Sequence, residues 1–295
     1  MRRKIVQQGS GALTISLPHQ WTKTYNLTAG EEIELVEDGP NLVIQGKESY
    51  KPKTKELHLK KIDNFSYLRS LIASMYKAGY NEIIIYTQIQ PPLQEINKVI
   101  NTFTGLELVE QTEKKIRIKA FLHSDETEIE HLIIKLFQTN NTFLKEIEMN
   151  WEKTDLNNAQ TLVRFNIRKM RDHCLRMIHI RNFGKEKSYE YYDVVTQLEK
   201  VAAEQLELLE EIIKTKPKEK KYVAKLIINF EALYKAYLKK EEQFSNTIWN
   251  EQRIYLQEFN LKKKLKEGNT LIPILVYFLS KRFLHIASRI VSLSS

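Results

Sequence analysis

From Ser124 to the last residue the chain keeps one apolar rhythm. Apolar positions recur at spacings of three and four, as in Val195, Leu198, Val201, Ala202, Leu206, Leu209 and Ile213, which places them on one face of a helix. Short turn or charge breaks, KTD, FGKEKS, KTKPKEK, KEEQ and KEGN, interrupt it. The pattern predicts six helices, at about 125–152, 154–183, 188–214, 218–239, 241–267 and 270–294. Helices this long, antiparallel and joined by short loops, predict two three-helix bundles in series, about 124–215 and 216–295.

Residues 1–50 follow a different rule. KIVQQ reads as a strand, Gly9-Ser10-Gly11 as a turn, and ALTISL as a strand with Leu13, Ile15 and Leu17 on one face, because strand side chains alternate. Pro18 suits the start of a short helix in which Trp21 and Tyr25 recur one turn apart, and Asn26 can end it in a left-handed conformation. EEIELVE, the Asp38-Gly39 turn and NLVIQG then predict a hairpin. So few apolar positions make a marginal core, so this unit is expected to dimerise. Between 52 and 122 the periods alternate: ELHLKKI, NEIIIYT, LELVEQT and KIRIKAF read as strands, SYLRSLIASMYKAG and PPLQEINKVINTFTG as helices. That order predicts a small βαβαββ layer. It contains neither a GxGxxG nor a GxxxxGK[ST] phosphate loop.

Composition bounds the function classes. The 295 residues include nine glycines and seven prolines, few for a turn-rich all-β chain, and a single cysteine, Cys174. One cysteine excludes an intramolecular disulfide and a cysteine-built zinc finger, and fits a cytoplasmic location. The most apolar run, Thr270 to Ser280, is interrupted by Pro273 and closed by Lys281 and Arg282. It is shorter than the ~20 residues of a membrane span, so no membrane insertion is expected. The net charge of +9 points to an anionic partner. Residues 1–60 carry nine basic and seven acidic side chains, so most of the excess lies in KPKEKK (Lys216–Lys221) and LKKKLK (Leu261–Lys266), read as largely solvated faces.

Leu13 to Ile44 carries Leu17-Pro18, Trp21, Tyr25, Leu27, Gly30-Glu31 and the strand Ile33–Val36, in that order and spacing. This stretch resembles the SpoVT/AbrB swapped-hairpin family, whose members form interleaved dimers that bind DNA. The helical half resembles the PhoU domain, a pair of three-helix bundles. SKRFLHIASRIVSL (Ser280–Leu293) and NIRKMRDHCLRMIHI (Asn166–Ile180) stand where that family has its metal-bearing helices. The whole is similar to archaeal regulators of phosphate uptake that fuse the two. The fold class implied is α+β and multidomain: a swapped-hairpin domain at 1–50, the α/β layer at 52–122, and a PhoU-like domain at 124–295.

The resemblance implies a DNA-binding transcriptional regulator linked to phosphate uptake or homeostasis, homodimeric through its N-terminal domain. An alternative is an adaptor that holds a phosphate transporter or its signalling partner without binding DNA. Arg2, Arg3 and Lys4 are the candidate backbone contacts, with Ser10, Thr14 and Ser16 as short donors and His19 and Lys23 flanking Trp21. The family's metal stretches space an acidic residue and an aspartate by four. Here those positions hold Arg168 and Asp172, and Lys281 and His285. A cation in place of a carboxylate repels metal, so no family-type metal cluster and no cofactor are expected. Asp172, His173 and Cys174 are neighbours that diverge around a helix. They are read as a buried thiol beside a hydrogen-bonded histidine, and no arrangement supports catalysis.

Overall fold

The alternating segments near the N-terminus pair as two short antiparallel hairpins in the computed structural model of the chain, which describes residues 2–9, 11–38, 41–45, 53–121, 126–217, 220–259, 261 and 271–295. The fold is α+β, with small sheets in the N-terminal part and a helical C-terminal region. The chain divides into two compact units, Met1–Pro52 and Lys53–Ser295.

In the first unit, β1 (Val6–Gln8) pairs with β2 (Ala12–Thr14), and β3 (Glu34–Asp38) with β4 (Asn41–Gln45). The second strand is shorter than ALTISL predicts and leaves Ile15 and Leu17 beyond the ladder. Pro18 stands directly before α1 (His19–Thr24), where its missing N–H costs nothing. Asn26 closes that helix at φ 50°, and the Trp21 and Tyr25 ring centroids lie 5.3 Å apart.

The second unit begins with β5 (Thr54–Leu59), α2 (Phe65–Lys77), β6 (Glu82–Thr87), α3 (Leu93–Ile100), β7 (Leu106–Gln111) and β8 (Lys115–Ala120). The sheet order is β5-β6-β8-β7, with β5 parallel to β6 and the other pairs antiparallel. Alternation decides which face is covered. Ile83, Ile85, Ile116 and Ile118 are buried in one cluster with Leu68, Ile72 and Tyr76 of α2 and with Ile96 and Ile100 of α3. The intervening side chains of β6, Ile84 and Tyr86 among them, therefore lie on the opposite face. Asn64 caps α2 by accepting from the Tyr67 amide at 2.9 Å.

The helices follow as α4 (Glu126–Asn150), α5 (Leu156–Thr161), α6 (Arg168–Arg181), α7 (Ser188–Thr215), α8 (Lys221–Lys239), α9 (Glu242–Glu258) and α10 (Ile272–Ser294). Their buried residues, from Ile129 to Leu293, belong to one continuous cluster. α7 packs on α4, α6 and α10, and α10 packs on α8 and α9 as well. The end of the fifth predicted helix, at 260 and 262–267, lies outside the described residues, as do Lys218, Glu219 and most of LKKKLK.

The predicted helix 154–183 differs in one respect: a π turn spans Leu162–Ile167 between α5 and α6. Ala159, Val163 and Ile167 are buried at a spacing of four, which a regular helix would carry about 40° further round at each step. A wider turn brings that stripe back onto the core. Helix ends are unusual too. Asn182, Lys216 and Lys240 follow α6, α7 and α8 in the left-handed conformation, at φ 48°, 46° and 50°, a place that glycine ordinarily fills.

Glycine is required after α6. Gly184 has φ 78°, and a Cβ there would stand 2.5 Å from Tyr191 Cδ2. Gly184→Ala should therefore lower the stability of the full chain by about 1–3 kcal/mol, from backbone strain and the displaced tyrosine, measured as a shift in the urea midpoint.

Candidate functional site

Each DNA-contact candidate sits in the first unit. Arg2, Arg3 and Lys4 are exposed ahead of β1, and His19 and Lys23 are exposed on α1. None of the five is in an ion pair among the described residues. Ser16 is exposed, whereas Thr14 is half-buried and its Oγ1 donates to Val6 O at 3.1 Å. That hydroxyl proton is spent on the hairpin. Ser10 lies outside the described residues. Gly9 and Gly11, with φ of 68° and 155°, flank it in the link from β1 to β2, and no helix follows to add its dipole to their amides.

Among the side chains of the unit whose burial is described, none is buried. Ile5, Val6, Leu13, Ile15, Leu35 and Leu42 are exposed, Leu13 by 70%. Leu35 pairs with Ile44, and Leu42 with Glu37, so the three apolar residues share one face of the second hairpin. A cavity of about 290 Å³ opens beside α1, lined by Leu17, Leu27, Ala29 and Ile33 among others.

In the second unit the polar residues singled out on α6 face different surroundings. Asp172 is wholly buried, and its Oδ2 accepts from Arg69 Nη2 of α2 at 2.8 Å. Arg171 Nε stands 2.9 Å from Oδ1, but neither of these two atoms has a hydrogen bond, so that contact is purely electrostatic. Arg171 and Arg168 also face Glu199 of α7. Arg69 in turn lies 4.9 Å over the Phe103 ring. Where metal would need converging carboxylates, cations surround one aspartate.

His173 points elsewhere, as helical neighbours must. Its Nδ1 is 3.1 Å from the Tyr76 hydroxyl and its Nε2 is 3.3 Å from Glu128 Oε1 of α4. Burial lowers its pKa below the ordinary histidine value, and Arg176 adds to that, against the opposing pull of Glu128. A neutral ring that donates from Nε2 to Glu128 takes the Tyr76 proton on Nδ1. A charged ring would donate from both nitrogens and turn that hydroxyl proton toward Thr104 O, 2.9 Å away. Cys174 is fully buried and makes no use of its neighbours; burial alone pushes its thiol upward. It is inert as a nucleophile.

Arg176, which the sequence reading passed over, is 2% exposed and donates from Nη1 to Tyr76 O at 2.6 Å and Tyr80 O at 2.8 Å. The Tyr76 carbonyl belongs to the last turn of α2, which carries the negative end of the helix dipole, and Tyr80 follows just after that end. A buried arginine of α6 therefore caps a helix of the α/β layer. Lys169 Nζ adds a bond to Asn101 O just past α3, at 3.1 Å.

On α10, Lys281 is exposed and lies 5.6 Å over the Tyr277 ring. His285 Nε2 and Arg289 Nε approach Asp193 Oδ2 of α7 at 2.8 and 2.6 Å, while Gln197 donates to Oδ1 at 2.9 Å. Burial would raise the Asp193 carboxyl, and these three partners outweigh it and hold it below the ordinary aspartate range. No group of three or more His, Cys, Asp or Glu side chains converges as metal ligands among the described residues. No helix among them is long and apolar enough to cross a membrane. No family model, curated protein or solved structure matches the chain.

Asp172→Ala strands Arg69 in a half-dry interface and should cost about 3–5 kcal/mol, read from denaturant unfolding of the full chain. His173 gives a pH signature. Its folded pKa lies below that of the unfolded chain, about 6.5, so the unfolded state binds the proton more readily and stability falls as pH drops below about 6.5. Unfolding midpoints at about pH 7.5 and pH 5.5 should differ less in His173→Gln than in the parent.

Proposed function

We propose that the chain is a DNA-binding transcription regulator linked to phosphate uptake or homeostasis, acting as a homodimer through its N-terminal unit. The observation that carries the dimer is the set of six exposed large apolar side chains in 1–52, with none buried among the side chains whose burial is described there. Isolated two-stranded hairpins are marginal in water. A second copy laid against Val6, Leu13, Leu35, Leu42 and the cavity beside α1 supplies the missing core. The swapped-hairpin arrangement of the family that Leu13 to Ile44 resembles is one way to build it.

Dimerisation doubles Arg2, Arg3 and Lys4, and their freedom from ion pairs among the described residues leaves their charge available to phosphates. No recognition helix bearing bidentate arginines is part of this reading, which rests on backbone contacts. The phosphate link rests on the likeness of the helical region to the PhoU pair of three-helix bundles. In that region Asp172 is paired with Arg171 and with Arg69 of α2, and Asp193 with His285 and Arg289.

Filter retention of duplex DNA at about 50 mM and about 200 mM salt tests the reading. Binding should weaken steeply at the higher salt. The double variant Arg2→Ala, Arg3→Ala removes four charges from a dimer and should flatten the slope of log K against log salt by about 3–4. No retention at the lower salt overturns the DNA-binding reading and leaves the adaptor.

A further inference from the structure

The α/β layer carries a cavity that the DNA-binding reading does not use. It measures about 510 Å³ and opens where β5 and β6 end, lined by His58, Leu59, Lys60, Tyr86, Thr87, Gln88 and Lys114. β5 and β6 are the parallel pair of the sheet, and ligands of α/β sheets favour the carboxyl ends of parallel strands. The volume suits a small molecule of drug or nucleotide size.

Its walls have two kinds of chemistry. His58 and Tyr86 are register partners on β5 and β6, and their rings stack with centroids 4.9 Å apart and planes 13° apart. Both rise from the sheet face that α2 and α3 do not cover. Lys60 and Lys114 come from different segments and are exposed, and neither is in an ion pair among the described residues. Their alkyl stems extend the apolar wall, while their ammonium groups remain free for an anion.

The rim is braced by the backbone. The Gln88 amide donates to Lys60 O at 3.2 Å, and the Thr87 amide donates to Lys114 O at 3.0 Å. The three segments that meet at the cavity are thereby tied to one another. Thr87 is buried, and its Oγ1 donates to Ile89 O at 2.9 Å, which fixes the chain as it leaves β6. Two lysines anchored on a shared rim, beside a ring pair, make a place for a planar group that carries negative charge.

We propose that this cavity binds a nucleotide-class ligand, its base against the His58–Tyr86 pair and its phosphate between Lys60 and Lys114. The site lies wholly within the second unit, so the proposal does not depend on whether the first unit binds DNA.

Titration calorimetry of the full chain with adenosine, guanosine, cytidine and uridine 5′-monophosphates tests it. At least one should bind saturably, with one site per chain. Adenosine or ribose 5-phosphate, which lack one half of the chemistry, should bind about tenfold more weakly or worse than the corresponding nucleotide. The exposed pair Lys60→Ala, Lys114→Ala should weaken binding by about tenfold or more while the thermal unfolding of the chain is unchanged. Failure of all four nucleotides to bind overturns the proposal, as does binding that the double variant leaves intact. A single-stranded oligonucleotide held through the same lysines while every mononucleotide fails also overturns it, in favour of a nucleic-acid platform.

Discussion

A carboxylate taken wholly out of water must be answered by charge, and Asp172 is answered from 103 residues away in the chain, by Arg69. That demand joins the α/β layer to the helices. Once α2 lies against α6 to bring Arg69 to Asp172, Arg176 reaches the end of α2 and Tyr76 reaches His173. The junction is polar and buried, so it gives specificity of docking more than net stability. An apolar pair of the same shape would hold as well but would tolerate sliding. Here the Tyr76 and Tyr80 carbonyls, the Asp172 carboxylate and the His173 ring each accept one geometry.

The two units solve the problem of a small core in opposite ways. The layer of 53–121 is small, yet Ile72, Tyr76, Ile85 and Ile116 are shielded completely or nearly so, and α2 goes on to dock against the helices. The hairpins of the first unit shield none of their described side chains to that degree. Val6, Leu13, Leu35 and Leu42 lie exposed on ladders of three and five pairs. Leu13, 70% exposed, and the hollow beside α1 are the surfaces that the proposed second copy would cover. The same openness leaves the basic N-terminal segment uncommitted to any acidic partner among the described residues.

Much of this was legible locally. The βαβαββ order followed from the switch between periods of two and of 3–4, and each predicted element of that layer is present within a few residues. The same rhythm placed the long helices, and Asn26 was readable as a left-handed terminator because asparagine tolerates that conformation. Lys216 and Lys240 were not, since a lysine in the left-handed region is chosen by the turn that follows and not by its own preference. The π turn left a faint signal, the spacing of four through Ala159, Val163 and Ile167, which an ordinary helix could also carry over a short stretch.

Asp172 shows where local reading stops. Arg168 and Lys281, which stand where the family has acidic residues, gave the expectation that its metal stretches had lost their ligands. They could not say which cation takes the aspartate, because the answer lies on a helix of a different layer. Arg176 had no local mark at all, and its role exists only once the end of α2 lies beside it. The His58–Tyr86 ring pair is likewise a product of strand register between segments that share no sequence pattern. Periodicity and turn chemistry, which act over a few residues, determined the elements of this protein from sequence alone. Tertiary structure decided which buried charges meet and which rings stack, because those contacts depend on distance in space and not on spacing along the chain.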